Sequence, residues 1–130
     1  MSANTDIIRG IYEAVAQGDV PTVLEALDSN CQWTEAEGFP YAGTYTGPDE
    51  ILNGVLARLG SEWDGFQVKP HEFIDGGEHV VALGRYAGAY KATGKDFDAA
   101  FAHVWTLEGG KVVRFHQYVD SALVQEALQH

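Results

Sequence analysis

The chain has 130 residues, 45% of them hydrophobic and 12% aromatic, enough for one core but not two, so a single domain over residues 1–130 is expected. Its formal charge is −11 and Arg9 is the only Lys or Arg before residue 58, which excludes the clustered cations that a nucleic-acid backbone requires. No apolar run reaches the roughly 18 residues of a membrane span, the start MSANTDIIRG lacks the features of a signal peptide, and Cys31 has no partner cysteine, so a cytoplasmic location is expected.

In chain order, NTDIIRGIYEAVAQGD sets Ile7, Ile8, Ile11, Val15 and Ala16 at the spacing of one helical face. Asn4 or Thr5 caps its start and Gly18 ends it. VPTVLEALDSN reads as a shorter helix with Pro21 in its first turn. CQWTEAEG reads as a strand with Cys31, Trp33 and Glu35 on one side, and FPYAGTYTG as a loop. GPDEILNGVLARLG is a third helix, from Pro48 to a stop at Gly60. The period then becomes alternating: FQVKPHEFI, EHVVALGRYAGAYKA, DFDAAFAHVWTL and KVVRFHQYV are four strands separated by DGGE, TGK and EGG. DSALVQEALQH closes the chain as a helix. Helices first and strands after give an α+β fold, a curved antiparallel sheet wrapped around N-terminal helices.

The last hairpin carries most of the polar chemistry. A two-residue turn at Gly109-Gly110 pairs Val104 with Phe115, Ala102 with Gln117, His103 with His116 and Phe101 with Tyr118. One face then collects Ala102, Val104, Phe115 and Gln117 and is expected to meet the helices. The other collects Phe101, His103, Trp105, Arg114, His116 and Tyr118, a mixture typical of a protein–protein surface. On this register His103 and His116 belong to an interface, and Gln117 is a buried amide that needs a partner, structural or ligand. Asp120 stands where an N-cap or an acid could sit.

Four stretches together, AVAQGDVPTVLEAL, CQWTEAEG, GTYTGPDEI and HVWTLEGGKVVRFHQYVD, make the chain resemble the nuclear transport factor 2-like superfamily, in its SnoaL-like polyketide cyclase and ketosteroid isomerase-like branch. The resemblance implies a cone-shaped pocket between helices and concave sheet, and a homodimer joined through the sheets, here by Phe101, Trp105 and Tyr118. It places a carboxylate base at Glu35, to remove a proton beside a carbonyl. The branch's oxyanion tyrosine falls on Ile11, with Tyr12 next to it, and its oxyanion aspartate on Ala102. The carboxylate of the cyclases falls on Gln117, which as an amide cannot take a proton, and a histidine of that branch falls on His103.

The resulting candidates are Glu35, Gln117, His103 and Asp120 for chemistry, with Tyr12, Trp33, Val104 and Phe115 around the ligand. Desolvation beside Trp33 would raise the pKa of Glu35 towards neutrality; at a solvated strand end it would stay ordinary. Five histidines occur without HxH or HExxH spacing, so no metal is expected. Without a nucleophile elbow, P-loop or dinucleotide loop, no cofactor is expected either. The reading is a cofactor-free protein for a small, largely apolar carbonyl compound, with proton-transfer chemistry of isomerase, cyclase, dehydratase or hydrolase type. A non-catalytic module that binds an apolar ligand or dimerises is the alternative.

Overall fold

Helix α1 (Ala3–Ala16) turns Ile8, Ile11, Tyr12 and Ala14 inward. The computed structural model describes residues 3–129; Met1, Ser2 and His130, the last assigned by sequence to the closing helix, lie outside them. Thr5 is a buried residue within α1 and not its cap, while Val15 at the end of the expected apolar face is 36% exposed. Gly18 stops the helix in a left-handed conformation (φ 70°), where a residue without Cβ is unstrained. Asp19 then caps α2 (Val20–Glu25), accepting from Thr22 N–H at 3.3 Å.

Strand β1 (Leu27–Glu35) follows, and the segment expected to be a loop contains a short strand, β2 (Gly43–Thr46), pairing antiparallel with it. The third helix is continuous but changes its winding: α3 (Pro48–Ile51), a π-helical turn (Leu52–Leu56), then α4 (Ala57–Glu62), past the stop expected at Gly60. Four long strands come next: β3 (Trp63–Gly76), β4 (His79–Tyr90), β5 (Asp96–Glu108) and β6 (Lys111–Val119), before α5 (Ser121–Leu128).

The six strands form one curved, open sheet in the order β2-β1-β6-β5-β4-β3. Every neighbouring pair is antiparallel except β1 and β6, which run parallel and so join the two halves of the chain. Helix α1 packs across β3 and β4, α4 against β3, and α5 against β5 and β4. No helix among the described residues is long and apolar enough to cross a membrane.

The hairpin departs from the expected register. Gly109 (φ 57°) and Gly110 (φ 80°) make the two-residue turn, as their sequence requires, and Leu107 opposes Val112. One pair further on, however, Thr106 opposes Arg114, so Val113 is an extra residue on β6. Because side chains alternate with period two, this bulge exchanges the faces of β5 relative to β6 beyond it. Trp105 now opposes Phe115, and His103 opposes Gln117. Phe101, His103 and Trp105 are buried on the inner side together with Phe115 and Gln117, and the outer side carries Ala102, Val104, His116 and Tyr118. The dimer surface expected from Phe101 and Trp105 is corrected accordingly: both rings are interior, and only Tyr118 of the three, 53% exposed, faces out.

Candidate active site

Between α1, the third helix and the inner side of the sheet lies a cavity of about 70 Å³. It widens into an outer groove of about 260 Å³, with Val15, Val23, Leu56, Leu59, Phe66 and Val68 common to both. The π-wound turn supplies Val55 and Leu56 to this wall, a position where π turns recur in functional sites.

Four strands and one helix bring polar groups into this apolar space. β1 contributes Trp33 and Glu35, β4 Tyr86, β5 His103, β6 Gln117 and α1 Tyr12. Tyr12, His103, Tyr86 and Gln117, with Trp105 at one end and the Ala36 backbone at the other, form a continuous chain of hydrogen bonds. Trp105 Nε1–H donates to Tyr12 Oη at 3.0 Å, and Tyr12 Oη lies 2.5 Å from His103 Nδ1. His103 Nε2 lies 2.5 Å from Tyr86 Oη, which accepts from Gln117 Nε2–H at 2.9 Å. Gln117 Oε1 accepts from the Ala36 backbone N–H at 3.0 Å, which fixes the orientation of the amide. Buried polar groups of this kind are tolerable only when satisfied in such a network.

The electrostatics follow from dryness. Glu35 is 4% exposed, and burial pushes its carboxyl from 4.5 up to about 8. The Trp33 indole N–H nearby offsets part of that, although it has no partner in good hydrogen-bonding geometry among the described residues. The two are neighbours through space and lack hydrogen-bonding geometry. Burial takes His103 from 6.5 down to about 3, so its imidazole is neutral at physiological pH. Burial, and then the charge of Glu35, pushes the Tyr86 phenol well above its usual value, which places the two groups within each other's field.

Of the residues singled out by sequence, Glu35, Gln117, His103, Tyr12, Trp33 and Phe115 line the cavity together. Val104 does not: the bulge turns it to the outer side, half-buried and paired with His116. Asp120 does not either. It is exposed at the N-cap position of α5 and its side chain makes no capping hydrogen bond. His103 is interior and not at an interface, and Ala102, matched by resemblance to an oxyanion aspartate, points outward beside it. Tyr86 was missed, although alternation through Val80, Ala82, Gly84 and Tyr86, all buried, carries its signal. Cys31 is fully buried with its thiol pushed up to about 11 by burial and then by Asp28, so it stays protonated at neutral pH. Among the described residues no group of three His, Cys, Asp or Glu side chains could hold a metal.

Comparison with known proteins places these features in a family. The SnoaL-like domain family model matches residues 8–115. Among solved structures, an NTF2-like protein from Burkholderia thailandensis E264 is 41% identical over 100% of both chains, with a TM-score of 0.96. An NTF2-like protein of unknown function from Burkholderia pseudomallei K96243 is 31% identical over 100% of both, with a TM-score of 0.91. TerC, co-crystallised with polyporic acid, is 26% identical over 99% of this chain and 100% of its own, with a TM-score of 0.88. No curated protein matches the chain. With the family model spanning most of the sequence and the same fold throughout these relatives, the chain belongs to the SnoaL-like domain family.

Proposed function

We propose that the cavity binds a small, largely apolar carbonyl compound and that Glu35 moves a proton at the carbon beside the carbonyl, without a cofactor. The observation that carries this reading is a single carboxyl, 4% exposed, in a cavity otherwise walled by apolar and neutral polar groups. A carboxyl held near 8 is poised for both directions of transfer at neutral pH. Its ionised form takes the α-proton, the C–H electrons pass into the enolate, and the carboxylic acid then returns the proton to carbon. TerC, crystallised with polyporic acid, supports the idea that this fold admits a small organic molecule.

The reading includes a homodimer through the outer side of the sheet. That surface has Tyr118 stacked on His116, with ring centroids 4.4 Å apart, and Tyr118 is among the few large hydrophobic side chains left exposed.

Proton NMR of cyclopentanone in D₂O tests the chemistry. The protein is expected to catalyse α-proton exchange, with a rate rising with pH and levelling above about 8 as Glu35 ionises. Glu35→Gln should lower the rate by about 10²-fold or more. An exchange rate that Glu35→Gln leaves unchanged removes the base from the proposal. Ketone binding without any exchange would identify the chain as a non-catalytic ligand-binding module.

A further inference from the structure

The hydrogens of the buried network can be counted. A neutral imidazole has one N–H and one acceptor nitrogen. His103 lies within hydrogen-bonding distance of two phenols, so it donates to one of them and accepts from the other. Both phenolic oxygens already accept a second hydrogen, Tyr12 from Trp105 and Tyr86 from Gln117. Whichever tautomer His103 adopts, one of the two phenols accepts twice, and its own O–H is left over from the chain of bonds.

A second hydrogen is also unspent. Trp33 is 6% exposed and lines the cavity, and its Nε1–H, close enough to the Glu35 carboxyl to lower its pKa, has no partner in hydrogen-bonding geometry among the described residues. The other two indoles are both satisfied, Trp105 by Tyr12 and Trp63 by Tyr41 at 3.1 Å. Stacking on Phe115, with centroids 3.9 Å apart, holds the Trp33 ring in place. A buried donor left without an acceptor is a standing penalty that a ligand can relieve.

We propose that the ligand is recognised through an acceptor-only oxygen, of ketone or quinone type, which takes up the indole N–H of Trp33 and the spare phenolic O–H of the Tyr12–His103–Tyr86 trio. The inference rests on the reading of this cavity as the ligand site. Trp33 is thus a binding residue and not only a wall, and two such hydrogens on one oxygen would stabilise the negative charge of an enolate while Glu35 holds the proton. The cavity carries no cation and a neutral His103, so oxygen is bound by directed dipoles in a dry environment, where they act more strongly than in water.

The test uses the whole protein labelled with ¹⁵N, and cyclopentanone and cyclopentane as probes of matched shape. Three indole N–H signals are expected, assigned through contacts to their ring neighbours. Cyclopentanone should move the Trp33 signal downfield and leave that of Trp63 in place, and cyclopentane should not produce the downfield shift. Trp33→Phe keeps a ring against Phe115 and should weaken ketone binding about ten-fold relative to the hydrocarbon. Equal responses to ketone and hydrocarbon overturn the proposal, as does unchanged ketone affinity in a folded Trp33→Phe protein. If that variant does not fold, the wild-type spectra decide alone. Exchange that depends on Glu35 with a silent Trp33 signal sinks the donor assignment and leaves the proton-transfer reading standing. A Trp33 shift without exchange supports the donors and removes the catalysis.

Discussion

Gln117 has no freedom of orientation. With Oε1 occupied by the Ala36 N–H, only Nε2 can face Tyr86. Tyr86 is thereby made an acceptor on that side and positioned against His103. The amide thus ties β1 to the Tyr86 hydroxyl. His103 is the centre of the same network, since its two nitrogens hold both phenols. His103→Leu is expected to cost about 2–4 kcal/mol, because it removes one hydrogen bond from each of two buried hydroxyls while leaving a similar volume filled. Urea unfolding at pH 7 measures this. At this scale the sequence showed that Glu35 and Gln117 are polar residues on apolar faces. It could not show what holds Gln117, because the Ala36 N–H that its amide accepts from lies 81 positions away.

The β5–β6 hairpin marks the limit of reading elements from sequence. Its turn was legible because two adjacent glycines at positive φ have few alternatives. Its bulge was not, because Val113 differs in nothing from the apolar residues around it. The bulge is selected by burial: without it, either His103 and Trp105 or Phe115 and Gln117 would leave the cavity. Deleting Val113 is therefore expected to abolish cooperative folding, seen as loss of the near-ultraviolet dichroism of the buried Trp105. Val113→Ala, which keeps the residue count, should cost about 1 kcal/mol or less. Strand β2 escaped notice for a different reason. Four residues at a sheet edge, mostly exposed, have no apolar alternation to read.

The whole molecule couples two buried titrations of opposite sense. Native Glu35 keeps its proton up to about pH 8 whereas the unfolded carboxyl loses it near 4.5. Native His103 stays neutral down to about 3 whereas the unfolded imidazole gains a proton near 6.5. Between roughly pH 4.5 and 6.5 the two effects cancel. From 6.5 to 8 only the unfolded state has released the Glu35 proton, so stability falls as pH rises, by about 1.4 kcal/mol per unit. From 4.5 to 3 only the unfolded state has protonated its histidine, so stability falls as pH falls, by a similar amount. Urea midpoints across pH 3–9 should trace this plateau and its two limbs, and Glu35→Gln should erase the alkaline limb. For the outer face, sedimentation at micromolar concentration is expected to show a dimer, and Tyr118→Glu should shift it to monomer by burying a charge at the contact.

The order of the helices and long strands, the turn glycines and the acidic character of the chain follow from local composition and periodicity. They were set by the sequence because each depends on residues only a few positions apart. Which side of the last hairpin faces inward, and hence whether His103 joins Tyr12, Tyr86 and Gln117, was decided only in three dimensions. A single extra residue inverts a period-two pattern, and the energy that favours it comes from packing against α1, β1 and β4, elements remote in sequence.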